Sequence, residues 1–140
     1  MTTAIDTNVI VALWDHDPHV SAPAQKALDD ALQRGAMVLS APVFVELMAA
    51  PGRSEEFVNT FCSETGMMVE FNLEEDIWRV AGRAFQTYAA RRRKQRDSGP
   101  RRILADFLIG AHAFHRGYRL LTLDHQLYQT SFAGLKIIGI

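Results

Sequence analysis

The 140-residue chain has one cysteine, almost no net charge, and no apolar run approaching the ~20 residues that a membrane-spanning helix needs. The single thiol, Cys62, cannot form an intrachain disulfide, so nothing marks an oxidising compartment. The N-terminus lacks a signal-peptide pattern. A net charge of −1 gives no global signal for nucleic acid, so any such signal must come from a local patch. These absences predict a soluble, cytoplasmic protein without a membrane segment.

The composition is that of a globular protein, with 48% hydrophobic and 22% charged residues. The length suits a single domain, residues 1–140, with a sizeable core. Predicted strands alternate with predicted helices, which indicates a parallel sheet covered on both faces. We therefore predict a three-layer α/β/α domain around a central parallel sheet. The strands are expected at residues 2–6, 36–41, 67–71, 118–124 and 135–140.

One long helix is predicted to begin at Asn72, which with Glu75 resembles a capping box, and to continue to about Arg93. Its apolar residues recur at helical spacing, so this stripe is expected to face the core. The stripe consists of Ile77, Val80, Ala81, Ala84, Phe85 and Tyr88. A basic loop at 94–102 is expected to separate this helix from a mostly apolar helix that ends at Gly117.

Four acidic residues lie inside apolar runs: Asp6 in AIDTNVI, Glu46 in VFVELMA, Asp106 in ILADFLI and Asp124 in LLTLDHQL. Asp6 and Asp124 stand at the carboxyl ends of predicted strands. Glu46 and Asp106 lie in the early turns of predicted helices. The alternation of strands and helices brings all four to one edge of the sheet, where open α/β proteins bind their ligands.

Each of these acids also has an ordinary explanation when it is taken alone. Asp6 could cap the first helix, and Asp106 could cap the last predicted helix if that helix begins later. Glu46 could reach a helix surface, and Asp124 could be a turn residue. The convergence of all four on one edge of the sheet is what favours a shared role.

Four neighbouring carboxylates would raise one another's pKa values unless a cation neutralised them. Carboxylate oxygens select Mg²⁺ or Mn²⁺, whereas His and Cys ligands would be expected for zinc. The sequence therefore predicts a magnesium or manganese site. Thr7, Asn8 and Thr122 add short polar groups that could orient ligands or bound water. Capping and turn formation explain Thr7 and Asn8 equally well.

The segments IDTNVIVAL, LADFLIGAHA and LLTLD, with the embedded Glu46 in between, resemble in their order the PIN-domain ribonucleases, especially toxins of the VapC type. The resemblance runs from the first predicted strand to the last. Thr122 matches the family's usual hydroxyl two residues before its last acid. The family's acidic positions match Asp6, Glu46, Asp106 and Asp124.

The resemblance implies Mg²⁺-dependent cleavage of RNA, inhibition by a small cognate antitoxin, and a homodimer. In such a site, Mg²⁺ lowers the pKa of a coordinated water, orients it for in-line attack and stabilises the developing charge. Asp6, Asp106 and Asp124 are the expected ligands. Glu46 could ligate directly, hold a metal-bound water or help to deprotonate it.

Seven basic residues fall within the twelve positions 91–102: Arg91, Arg92, Arg93, Lys94, Arg96, Arg101 and Arg102. One interpretation is a solvated helix C-terminus, where cations complement the helix dipole. The other is an RNA-binding arm that contacts phosphates, because this segment leads into the helix that carries Asp106. The sequence leaves both interpretations open.

Two other functions compete with the nuclease. One is a non-catalytic PIN-like module that binds RNA or protein, although four retained acids argue against it. The other is a phosphotransfer domain on a similar sheet. A phosphatase of the haloacid dehalogenase type would need Asp where Asn8 stands, and a receiver domain would need paired acids at the first strand and a later lysine. No Gly-rich phosphate or dinucleotide loop is present.

Overall fold

The computed structural model describes residues 1–95 and 102–140. Its five strands are β1 (Thr3–Ile5), β2 (Met37–Ser40), β3 (Met68–Glu70), β4 (Arg119–Thr122) and β5 (Ile137–Gly139). They form one sheet in the order β3-β2-β1-β4-β5, and every neighbouring pair is parallel. The predicted parallel sheet is thus confirmed. The carboxyl ends of all five strands lie at one edge, which we call the carboxyl edge.

The described part of the chain forms seven helices: α1 (Thr7–Leu13), α2 (Pro18–Arg34), α3 (Ala41–Met48), α4 (Glu55–Thr65), α5 (Glu75–Gln95), α6 (Leu104–Arg116) and α7 (His125–Ser131). Three of them, α1, α3 and α7, begin within three residues of a strand end, so they start at the carboxyl edge. α6 ends just before β4 begins, so its first turn also lies toward this edge. None of these helices is long and apolar enough to cross a membrane.

The core lies on both faces of the three central strands. Ile5, Leu39 and Leu120 are almost completely buried, as near-continuous apolar runs predict for a parallel sheet. On one face, α5 packs against α6 through Phe85 and Phe107, whose rings stack with centroids 4.5 Å apart. The apolar stripe predicted for α5 is confirmed, because all of its residues are buried or pack against the core.

Two details of the predicted secondary structure are wrong. The predicted capping box does not open the helix, because α5 begins at Glu75, three residues after Asn72. In addition, α7 was not predicted, since seven residues between two strands show little helical periodicity. α5 continues through Gln95, and residues 96–101 of the predicted basic loop lie outside the described residues.

Two helix glycines provide a matched test of the packing. A Cβ on Gly110 in α6 would lie 2.2 Å from Cε2 of the buried Phe132, whereas a Cβ on Gly82 in α5 would meet nothing within 4 Å. We expect Gly110→Ala to lower the free energy of unfolding by about 1–3 kcal/mol through overpacking. Gly82→Ala should raise it by about 0.5–1 kcal/mol, because alanine loses less backbone entropy in a helix.

Urea titrations of the two variants and the wild type provide the measurement, with the midpoints compared at equal slopes. If Gly110→Ala were as stable as the wild type, Phe132 would have to move without loss of packing, and the tight contact between α6 and Phe132 would be refuted.

Candidate active site

Asp6 follows β1 directly and occupies the N-cap position of α1, but its side chain makes no capping hydrogen bond. Its Oδ2 instead accepts a hydrogen bond of 2.7 Å from the Thr122 hydroxyl. Asp6 is only 5% exposed. This burial raises the pKa of its carboxyl to about 6, with a smaller contribution from the charge of Asp106 and against the lowering effect of the Thr122 hydroxyl. Asp6 is therefore a buried acid at the carboxyl edge and not a simple helix cap.

Thr122 and Asn8 position the segment that carries Asp124. Thr122 is the last residue of β4 and is fully buried. Besides donating to Asp6, its Oγ1 accepts a hydrogen bond of 2.9 Å from the Asp124 backbone N–H. Asn8 Oδ1 accepts another, of 3.1 Å, from the backbone N–H of Leu123. Both polar side chains thus hold the loop after β4 against β1 and α1.

Asp106 lies in the first turn of α6, where its Oδ2 accepts a hydrogen bond of 3.1 Å from the Ile103 backbone N–H. This is the capping contact that the sequence left open as an alternative. Burial raises the pKa of the Asp106 carboxyl, and the charge of Asp124 raises it further. The Ile103 N–H and the Arg102 guanidinium act in the opposite direction. The charge of Asp106 thus acts on Asp6, and the charge of Asp124 acts on Asp106.

Glu46 reaches the same region through one hydrogen bond. It lies in α3, half-buried, and its Oε1 accepts a bond of 2.6 Å from the hydroxyl of Thr7. Thr7 is the first residue of α1 and directly follows Asp6. The structure therefore joins Glu46 to the three aspartates through Thr7 and not by direct contact among the described residues.

Tyr128 belongs to this region and was not identified from the sequence. Its hydroxyl is buried beside the Asp6 carboxyl and has no hydrogen-bond partner within residues 1–95 and 102–140. Burial raises the pKa of the hydroxyl above its ordinary value, and the charges of Asp6, Asp106 and Asp124 raise it further. The spacing of four residues from Asp124 would have been the signal, because a helix starting there turns Tyr128 back toward the acid.

Arg102 contacts Asp124 directly. Its Nη1 lies 2.5 Å from Asp124 Oδ2, and its backbone N–H donates a bond of 2.9 Å to the hydroxyl of Tyr88. This arginine was grouped with the basic cluster, yet its guanidinium is turned toward the acids. Four other members of the cluster, Arg91, Arg92, Arg93 and Lys94, lie in the last turns of α5. Arg96 and Arg101 lie outside the described residues.

A comparison of the sequence with known protein families agrees with this site. The model of the PIN domain family matches residues 3–133, which is most of the chain. The chain belongs to the PIN-domain family. No curated protein sequence gives a significant match to this PIN domain.

Solved structures with the same fold come from bacterial complexes. The VapBC2 complex of Rickettsia felis, bound to a DNA fragment from its promoter, contains a chain with a TM-score of 0.70 and 16% identity, covering 100% of this PIN domain and 99% of that chain. A toxin–antitoxin complex from Klebsiella pneumoniae matches with a TM-score of 0.66 and 19% identity, covering 97% of this PIN domain and 95% of that chain. FitAcB from Neisseria gonorrhoeae matches with a TM-score of 0.65 and 17% identity, covering 98% of this PIN domain and 96% of that chain. At these identities the likeness shows the fold.

The acids of this PIN domain suit a hard divalent cation in their donor chemistry. Asp6, Asp106 and Asp124 supply carboxylate oxygens, and burial raises the pKa of the first two, so a bound cation would stabilise their ionised forms. Across the described ranges, however, no three His, Cys, Asp or Glu side chains are already grouped as a metal site. Arg102 contacts both oxygens of Asp124, so an ion would have to displace it, whereas the Ile103 N–H occupies only Oδ2 of Asp106.

Proposed function

We propose that this PIN domain, residues 1–140, is a metal-dependent endoribonuclease that acts in the cytoplasm as the toxin of a type II toxin–antitoxin module. The observation that supports this most strongly is the placement of three aspartates at the carboxyl edge: the buried Asp6 after β1, Asp106 in the first turn of α6, and Asp124, whose backbone is tied to Asp6 through Thr122. Burial of ionisable acids that lack a compensating cation costs stability, so their retention favours a functional site. PIN domains are generally nucleases that use divalent metals, which supports the same conclusion.

Asp6, Asp106 and Asp124 would hold Mg²⁺ or Mn²⁺. The bound ion would supply Lewis acidity toward the phosphodiester and an acidified water. Thr122 orients Asp6 for this purpose, and the bond between Asn8 and Leu123 fixes the loop that carries Asp124. No side-chain nucleophile is required.

Glu46 serves as the proton acceptor in this proposal. Thr7 engages its Oε1, while Oε2 has no hydrogen bond in the part of the chain that the structure describes. A half-buried carboxylate with one oxygen fixed and one oxygen free can accept a proton from the attacking water. Thr7 therefore acts as a positioning residue for Glu46.

Arg102 has a second role in the proposal. Guanidinium groups bind carboxylates and phosphates with the same bidentate geometry. Arg102 neutralises Asp124 in the free protein. When the metal ion binds, Asp124 turns to the ion, and the released Arg102 becomes available to the scissile phosphate of the RNA.

An apolar groove beside Glu46 supports the antitoxin as a partner. The groove has a volume of about 540 Å³, and it is lined by Val45, Glu46, Phe71, Trp78 and Leu104, among others. Val45 and Phe71 are more than 60% exposed. An exposed apolar groove of this kind fits an amphipathic segment of a protein partner. The structures of similar fold are themselves toxin–antitoxin complexes, and we assign this groove to a small cognate antitoxin. A homodimer stays a prediction.

A cleavage assay tests the proposed function. Purified protein freed of antitoxin is incubated with total RNA, once with Mg²⁺ and once with EDTA. We expect discrete RNA fragments with Mg²⁺, intact RNA with EDTA, and recovery of cleavage when excess Mg²⁺ is added back. Intact RNA under all three conditions, from protein with the circular dichroism of a folded α/β domain, would instead favour the non-catalytic binding module.

A further inference from the structure

A second groove lies between α5 and the end of α7, away from the three aspartates. It has a volume of about 310 Å³, and we call it the α5/α7 groove. Its apolar part is formed by Val80, Ala84, Tyr88, Phe114 and Phe132, and its polar part by Arg83, Thr87, Arg91, Thr130 and Ser131. This combination of an aromatic floor and two guanidinium groups is not used by the proposed catalytic site.

The two arginines of the groove lack acidic partners. Arg83 and Arg91 are eight residues apart on α5, so they lie about 12 Å apart along its axis. Neither forms an ion pair with a carboxylate among the described residues, whereas Arg79 on the same helix pairs with Glu75 at 2.8 Å. Two cations without counter-charges on one groove favour an anionic ligand with more than one charged group.

The end of α7 contributes a buried hydroxyl to the same groove. Ser131 Oγ is inaccessible and has no hydrogen-bond partner within residues 1–95 and 102–140. Because this atom is inaccessible, Ser131 belongs to the wall of the groove and does not itself contact a ligand. The neighbouring Thr130 is exposed and lines the same groove, so its hydroxyl can donate to a phosphate or ribose oxygen.

The groove is connected to the proposed catalytic site. Tyr88 is one of the residues that line it, and the Tyr88 hydroxyl accepts a hydrogen bond from the backbone N–H of Arg102. The guanidinium of Arg102 contacts Asp124. α7 begins directly after Asp124 and ends in the groove at Ser131, about 10 Å farther along its axis. A strand leaving Asp124 along α7 would therefore enter the groove within a few nucleotides.

We propose that the α5/α7 groove binds the RNA strand next to the scissile bond, with Arg83 and Arg91 on its phosphates and the aromatic floor under a base. Arginines bind phosphates in a bidentate manner, and bases stack on aromatic side chains. An acidic protein segment would use the arginines but would leave the ring of Phe114, which is 42% exposed, without a base stacked on it. The inference rests on the proposed function, for which it defines a second contact region for the substrate.

Salt dependence of RNA binding tests this assignment. The full chain carrying Asp106→Asn and freed of antitoxin is titrated with a fluorescent single-stranded oligouridylate at several salt concentrations. Each phosphate contact that is lost should flatten the log–log slope by ~0.7. Arg83→Gln should therefore lower the slope by ~0.7, and the double variant Arg83→Gln/Arg91→Gln by ~1.4. The matched control is Arg79→Gln, which removes one charge from the same helix outside the groove and should leave the slope unchanged.

A charge insertion gives an independent measurement at the same place. Thr87→Glu puts a carboxylate between the two arginines, and Gln86→Glu puts the same charge one residue away, outside the groove lining. We expect Thr87→Glu to weaken binding of the oligouridylate roughly fivefold or more, and Gln86→Glu to weaken it far less. Equal effects of the two insertions would contradict the proposal.

Two further outcomes separate this inference from the proposed function. If the wild type cleaves total RNA with Mg²⁺ but Arg83→Gln has the same slope as Arg79→Gln, the groove assignment is wrong and the nuclease stands. If Arg83-dependent RNA binding occurs without cleavage, the groove assignment stands and the nuclease is wrong. An oligoglutamate of equal charge is titrated in parallel. If the arginine substitutions weaken binding of that peptide and not of the RNA, the groove is a site for an acidic protein segment and the proposal is overturned.

Discussion

Asp106→Asn should abolish Mg²⁺-dependent RNA cleavage while leaving the fold intact. The Asn side chain keeps a carbonyl oxygen that can accept the Ile103 N–H, so the first turn of α6 retains its capping contact. It loses the negative charge that would hold the metal. An interaction worth several kcal/mol in the transition state corresponds to a rate loss of about a thousandfold or more. The measurement is the initial rate of fragment formation from total RNA, with growth inhibition on expression as a second readout.

The control is Asp76→Asn, which removes one charge from an exposed position in the first turn of α5. It should cleave RNA at the wild-type rate. A folded Asp106→Asn protein with undiminished activity would remove Asp106 from the mechanism and would leave its capping contact as its only role.

Asp6→Asn should make the metal-free protein more stable near neutral pH. The pKa of Asp6 is raised from 3.8 to about 6, so the folded state binds this proton more tightly than the unfolded state does. Stability therefore falls as the pH rises from about 4 to about 6 and changes no further above that range. At pH 7 the ionised, buried carboxylate costs roughly 3 kcal/mol, from a shift of about two units at 1.36 kcal/mol each. Asn removes this cost and can still accept the hydrogen bond of Thr122.

Thermal melts of both proteins in EDTA measure this difference at about pH 4 and about pH 7. We expect Asp6→Asn to gain stability over the wild type mainly at the higher pH. A helix-cap role for Asp6 predicts the opposite sign, a loss of ~1 kcal/mol in the metal-free protein. In Mg²⁺ the wild type should gain stability as RT ln(1 + [L]/Kd), and Asp6→Asn should gain less. A melting temperature of the wild type that does not change with Mg²⁺ would argue against metal binding.

Much of the fold could be predicted because the central strands are apolar on both faces. β2 and β4 are recognisable as short apolar runs between helices. α7 could not be recognised in the same way, because only Leu127 and Tyr128 of its seven residues are buried and two residues define no helical period. The start of α5 was misplaced by three residues, because the pattern of Asn72 and Glu75 is local and does not fix where the helix begins.

In the candidate site, contacts between neighbouring strand ends could be predicted from the sequence, whereas contacts that depend on tertiary packing could not. β1 and β4 are parallel neighbours with Ile5 opposite Leu121, so Asp6 and Thr122 follow at the same level. Their contact is therefore implied by the strand ends that the sequence shows. The contact between Arg102 and Asp124 depends on how the chain enters α6, and no sequence pattern specifies that path. The placement of Arg83 and Thr130 in one groove likewise depends on the packing of α7 against α5.

The most direct test of the account is a crystal structure of the wild type with Mn²⁺, using the anomalous signal of the metal. We expect an anomalous peak at the carboxyl edge, with carboxylate oxygens of Asp6, Asp106 and Asp124 at about 2 Å from the metal. We also expect the Arg102 guanidinium to be displaced from Asp124. No peak at this edge under saturating Mn²⁺, with Arg102 still paired to Asp124, would contradict the central claim that these aspartates form a metal site.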